Sequence, residues 1–182
     1  YLRLRAISPT PFAAFLKCGP GLSVLSASPE RFLSLSAEGA VETRPIKGTR
    51  PRHHDPARDA ALARALIASE KDRAENLMIV DLMRNDLGRV SELGSVKVPV
   101  LCGLETFASV HHLVSVIQSR LKPGHGPIDL LRACFPGGSI TGAPKIRAME
   151  IIHELEPSPR GVYCGSVAWI GFDGAMDSSI VI

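Results

Sequence analysis

The sequence predicts an α+β fold, with largely antiparallel sheets and packed helices. Three observations lead there. Strand patterns gather toward both ends of the chain, helical patterns fill the middle, and short turns close strand pairs into hairpins. At 182 residues with 45% hydrophobic content, the chain is long and apolar enough for one sizeable core.

In chain order, Tyr1 to Ile7 reads as a strand and Ser8-Pro9-Thr10-Pro11 as a breaker. Phe12 to Leu16 reads as a short helical turn. Gly21 to Ala27 and Arg31 to Ser36 alternate with period two and read as strands. Ala37-Glu38-Gly39-Ala40 turns the second of these back into Val41-Glu42-Thr43. Asp55 followed by Pro56 is an N-cap with proline at the first helical position, so a helix should run to about Ala68. Ser69 caps a second helix with Glu70 and Asp72 in its first turn, ending at Gly88. Ser95 to Val100 and Leu104 to Phe107 are expected as two short strands. The β-branched Val114, Val116 and Ile117 make Val110 to Leu121 a strand. Pro127 to Phe135 is a short helix, and Pro136 to Gly142 a glycine-rich loop. A helix opens at Ala143-Pro144 and runs to about Glu156. Val162 to Phe172 and Met176 to Ile182 form a last hairpin around Asp173-Gly174.

Composition narrows the function. The net charge of +3 is small and scattered, which argues against nucleic acid as a partner. No apolar run reaches membrane-spanning length, and the start does not resemble a signal peptide. Cys18, Cys102, Cys134 and Cys164 include no C-x-x-C pair, so free thiols in a reducing cytoplasm are expected. Both ends read as strands already under way, as in a piece of a longer protein.

Several stretches could carry chemistry. Thr43-Arg44-Pro45-Ile46-Lys47-Gly48-Thr49 sets a lysine between a proline-bound apolar residue and a glycine that permits close backbone approach. A partly desolvated amine there is a usable nucleophile, although a surface turn has the same pattern. Glu30 lies between two strands, where a raised pKa would make it a proton donor to a leaving hydroxyl; an ion pair with Arg31 is the plainer reading. Asp72 and Glu75 share one helix face, which suits a hard cation or simply a solvated surface. The loop from Gly137 to Gly142 precedes a helix and could cradle a carboxylate or phosphate, or be a turn; it lacks the lysine and hydroxyl of a Walker loop. His112 could polarise a substrate oxygen, and Tyr163 could reach a ligand or cap the core. Asp81, Arg84, Asn85, Asp86 and Arg89 read as helix-end ion pairs and caps.

Taken together, five segments resemble the chorismate-utilising enzymes, and most closely their aminodeoxychorismate synthase component I subgroup. They are Ser28 to Phe32, Arg44 to Thr49, Lys71 to Arg89, His111 to Ser115 and Phe135 to Lys145, in family order over nearly the whole chain. The resemblance implies that residues 1–182 are a chorismate-binding catalytic domain truncated at both ends, an incomplete piece of that fold. It implies a transferase that aminates chorismate to 4-amino-4-deoxychorismate, the precursor of 4-aminobenzoate and folate, with ammonia from a glutamine amidotransferase subunit. Lys47 stands where anthranilate synthases carry alanine. By the family mechanism its amine attacks ring C2 as the C4 hydroxyl leaves, and ammonia then adds at C4 and expels it. Glu30 would be the general acid and base. Gly48, Thr49, His112, Ser139 and Tyr163 fall on substrate-side positions. Asp72 and Glu75 match a Mg²⁺ pair, with Glu75 the safer ligand because many members carry glutamate where Asp72 stands. Pro11, Phe12 and Ala13 belong to a stretch resembling part of a tryptophan pocket. Further family residues lie beyond Ile182, so the piece alone is expected to be inactive and prone to aggregate. Alternatives are anthranilate or isochorismate synthesis, or a module that senses tryptophan or chorismate without turnover.

Overall fold

The structure, a computed structural model, describes all 182 residues. After helix α1 (Leu2–Ile7), strands β1 (Phe12–Gly19) and β2 (Leu22–Ser28) pair only with each other. Strands β3 (Arg31–Leu35), β4 (Ala40–Thr43) and β5 (Ile46–Pro51) enter a seven-stranded sheet. Helices α2 (Pro56–Ile67) and α3 (Glu70–Gly88) follow, then the hairpin of β6 (Lys97–Thr106) and β7 (Val110–Arg120). Helices α4 (Pro127–Cys134), α5 (Gly138–Thr141) and α6 (Lys145–Leu155) lead to the last hairpin, β8 (Ser166–Ile170) and β9 (Met176–Ile180). The sheet runs β5-β7-β4-β3-β9-β8, with β6 on the other side of β7, and every pairing is antiparallel. The α+β expectation holds.

The helix starts follow from their caps. The Asp55 carboxylate accepts from the Ala57 and Arg58 N–H groups, and the Ser69 hydroxyl accepts from Asp72 N–H. Helix α3 lays Ile79, Val80, Met83 and Leu87 across the sheet as one apolar stripe. They pack with Phe32, Leu33 and Leu35 of β3, Val41 of β4, Ile117 of β7, and Met176 and Ile180 of β9. A buried polar network also crosses this interface. Asn76, fully buried, donates to the Leu113 carbonyl at 3.2 Å and accepts from the Ser115 hydroxyl at 2.5 Å. Ser115 Oγ in turn accepts from Cys102 N–H at 2.9 Å. Breaking one such buried bond strands its partner, so the network holds α3, β7 and β6 in one register.

Strands β4 and β5 lie end to end along β7. Thr43 faces Ile117, Ile46 faces Val114, and Ser115 N–H donates to the Pro45 carbonyl between them. Pro45, with no N–H to give, interrupts the strand without changing its register. The register slips only between Ile46 and Thr49, at Lys47 and Gly48. Gly48 takes φ 91°, as a bulge that favours glycine allows.

Four expectations are corrected. Tyr1 to Ile7 contains a helix, not a strand. It buries no residue and Leu2 is 77% exposed, so its alternating pattern has no face to cover; local bonds such as Ser8 N–H to Leu4 O at 2.9 Å decide instead. Phe12 to Leu16 is strand rather than helical turn, because β2 supplies a hairpin partner in continuous register from Ser28 to Ser23. The two strands expected between Ser95 and Phe107 are one, β6, with register shifts up to Gly103 and Cys102 at φ 52°. The strand expected from Val162 starts at Ser166, after a turn in which Gly165 N–H bonds to the Val162 carbonyl.

Candidate active site

Lys47 sits on the bulge of β5, backed by the end of α2 and the start of α3. A Cβ placed on Gly48 would stand 2.9 Å from Asp72 Cβ and 3.0 Å from Leu66 Cδ1. Only a glycine lets the strand lie this close to α2 and α3. The Lys47 amine then reaches across to a different segment and donates to the Ser139 carbonyl at 3.0 Å. Ser139 belongs to the one-turn α5, which is pressed onto the core by two glycines. A Cβ on Gly137 would stand 2.6 Å from Ile180 Cδ1, and one on Gly138 2.8 Å from Leu82 Cδ2.

Glu30 completes the cluster. It links β2 to β3, is 6% exposed, and its main chain is held by the Ser28 hydroxyl at 3.2 Å and by Ile180 N–H at 3.2 Å. Burial raises the Glu30 carboxyl pKa above its ordinary range; the Ser139 side chain, the Lys47 charge and the Ile46 backbone oppose that rise. Three segments remote in sequence thus bring an amine, a buried carboxyl and a hydroxyl-bearing loop together.

Thr49 and His112 face each other across β5 and β7, with Thr49 Oγ1 and His112 Nδ1 2.9 Å apart. The Phe107 ring meets the imidazole edge-on at 5.6 Å between centroids. Burial lowers the His112 pKa against the Gly48 backbone and the Glu105 charge, which favours the neutral imidazole. Its neighbour His111 points the other way, held at 3.0 Å by Asp59 and 2.9 Å by Thr106, and ties β7 to α2.

The two carboxylates of α3 differ. Asp72 is bound by Arg50 at 3.0 Å, and its pKa is lowered first by the Ser69 side chain and then by Arg50 against burial. Glu75 is half-exposed, with the Lys71 amine 3.6 Å away. No three His, Cys, Asp or Glu side chains converge as a metal cage. A cation that takes one or two carboxylates and fills its shell with water or substrate oxygens still fits Glu75.

The remaining expected site residues lie apart. Tyr163 is exposed in the turn before β8. It borders a cavity of about 480 Å³ with Ile140, Thr141, Met149 and Cys164, and neither Lys47 nor Glu30 lines it. Pro11 and Phe12 border two cavities, of about 410 Å³ toward β8 and β9 and about 250 Å³ toward Arg44 and Ile46; Ala13 lines only the first. The Arg31 guanidinium lies 5.4 Å from the Phe12 ring centroid. Sequence reasoning overlooked Arg50, which occupies Asp72, and Leu66, which presses on Gly48. The one available signal was the cation two residues beyond a strand glycine, ahead of an acidic helix start.

A family model described as chorismate binding enzyme matches residues 1–182. Aminodeoxychorismate synthase component 1 of Salmonella typhimurium is 59% identical over 99% of the chain, and the chain covers 39% of it. Anthranilate synthase component 1 of Streptomyces coelicolor is 53% identical over 100% of the chain, which covers 35% of it. A crystal structure of anthranilate synthase component I from Streptococcus pneumoniae superposes with TM-score 0.88 at 42% identity, over 99% of this chain and 39% of that one. The chain therefore spans about two-fifths or less of each of these relatives.

Proposed function

Because the chain belongs to the chorismate binding enzyme family, we propose that it carries the nucleophile and the proton donor of a chorismate-aminating transferase, working within its full-length protein. One observation carries this reading: the Lys47 amine and the buried Glu30 carboxyl meet at the Ser139 loop.

In this reading the Lys47 amine nitrogen forms a bond to ring C2 while the C4–O bond breaks. Glu30, whose pKa is raised by burial, delivers a proton to the departing hydroxyl, which leaves as water. Ammonia then bonds to C4, the C2–N bond breaks, and Glu30 receives a proton back. The sum is chorismate and ammonia to 4-amino-4-deoxychorismate and water, feeding 4-aminobenzoate and folate synthesis. Thr49 and the neutral His112 offer hydrogen bonds to substrate oxygens at the edge of the bulge. Glu75 would hold Mg²⁺, joined by Asp72 on the same face once its carboxylate leaves Arg50, and the ion would supply positive charge for substrate carboxylate oxygens. The words "component 1" in a relative's name support a partner subunit, for which we take a glutamine amidotransferase that releases the ammonia. Four unpaired cysteines support a cytoplasmic setting. The start of β1, at Phe12 and Ala13 with Pro11 just before it, offers an apolar recess suited to a tryptophan ring.

The 53% identical relative named anthranilate synthase makes anthranilate the competing product. The test is full-length protein with chorismate and ammonia, read by chromatography and intact-mass spectrometry. We expect 4-amino-4-deoxychorismate and a substrate adduct on Lys47, both lost in Lys47→Ala. Anthranilate as the product, or unchanged amination by Lys47→Ala, would refute the reading.

A further inference from the structure

The segment from Cys134 to Lys145 leaves the end of α4, carries Ser139 near its middle and returns at the start of α6. Its two ends meet at one carboxylate on α3. Lys145 Nζ donates to Asp86 Oδ2 at 2.5 Å and to the Cys134 carbonyl at 2.8 Å. Arg89 approaches the other Asp86 oxygen at 3.5 Å and donates to the Ala133 carbonyl. The pair is withdrawn from water, with side-chain exposures of 4% for Asp86 and 11% for Lys145. Burying two charges is costly, and burial raises the Asp86 carboxyl pKa against the opposing pull of Lys145 and Arg89. The contacts made are specific to the base of one loop, and that loop alone presents the carbonyl bound by the Lys47 amine.

We propose that Asp86 and Lys145 are positioning residues for the active site: their ion pair closes the base of the Ser139 loop and so sets where its carbonyl meets the Lys47 amine. The spatial part stands on the contacts alone; the catalytic consequence rests on the function proposed above. Asp86 reads in the sequence as an ordinary helix-end charge, and its partner lies 59 residues away.

The test compares full-length wild type with Lys145→Met, Lys145→Arg and Asp86→Asn. Three readouts are taken: acetylation of Lys47 by acetic anhydride, hydrogen exchange by peptide, and kcat and KM for chorismate with ammonia. In Lys145→Met, Lys47 acetylates faster, and exchange quickens in residues 135–144 but not in 76–83. There kcat falls about tenfold to a hundredfold while KM changes less, as a misplacement of about 1 Å would produce. Lys145→Arg, which keeps the charge, recovers most of the loss. If Lys145→Met does not fold, Asp86→Asn, close in volume, is read the same way. Unchanged Lys47 acetylation, exchange that rises evenly along the chain, or a mobile loop with unaltered kcat would each overturn the proposal. Absence of amination in wild type would sink the proposed function instead, and acetylation and exchange would still decide the clamp.

Discussion

Gly48→Ala should be the most informative single substitution in the sheet, because two separable costs fall on it. The first is conformational. At φ 91° a side chain is strained, and a left-handed L-residue costs about 1–2 kcal/mol. The second is steric. The new Cβ would meet Asp72 Cβ at 2.9 Å and Leu66 Cδ1 at 3.0 Å. Leu66 can turn its far end aside, but Asp72 Cβ is fixed to the first turn of α3, so β5 must give. Overpacking of this kind costs about 1–3 kcal/mol, for a total of about 2–5 kcal/mol. Gly94 is the control: its φ is 76°, with nothing within 4 Å of an added Cβ, so Gly94→Ala carries only the first cost. Equilibrium urea unfolding of both variants measures the difference. Gly48→Ala should lose more than Gly94→Ala, and Lys47 should acetylate faster as β5 shifts away from Ser139. Equal losses would refute the close-packing argument.

Glu30 should leave a pH signature. Its folded pKa is raised, so its favourable contribution is complete below the unfolded value of 4.5 and is lost as pH climbs through the folded value. Glu30→Gln should remove that slope, so its stability gains on wild type as pH rises above 4.5; parallel curves would show that burial does not perturb the carboxyl. His112 has the opposite sense. Its folded pKa is lowered, so its contribution is present above 6.5 and lost as pH falls through the folded value. An NMR titration should place its midpoint below 6.5, and a midpoint at or above that value would contradict the burial argument.

Local signals carried much of the fold. Asp55-Pro56 and Ser69 each place an oxygen acceptor before free N–H groups, and both helices begin there. The β-branched run of β7 is read correctly because that strand is buried along most of its length. The misreadings at the start of the chain share one cause. Alternation in Tyr1 to Arg5 and the apolar run from Phe12 specify a strand or a helix only through what covers them. No residue of α1 is buried, and β1 takes its form from β2. The break predicted near Leu101 reflects Gly103, which fits a bulged strand as well as a loop: its added Cβ would lie 2.7 Å from Val100 Cγ1.

The candidate site divides along the same line. Each contributing segment is marked locally, by a proline-flanked Lys-Gly, by a glutamate between strands, and by paired glycines before a helix. What joins them is topology. Ser139 lies 92 residues from Lys47, and no periodicity links the two. The β3–β9 pairing sets Ile180 against both the Glu30 carbonyl and Gly137. The same strand therefore fixes the carboxyl's backbone and the bed of the Ser139 loop. A substitution that enlarges Gly137 should disturb Glu30 through Ile180 without touching the carboxyl. The candidate site is thus held from the sheet beneath it as well as by the groups around the Lys47 amine.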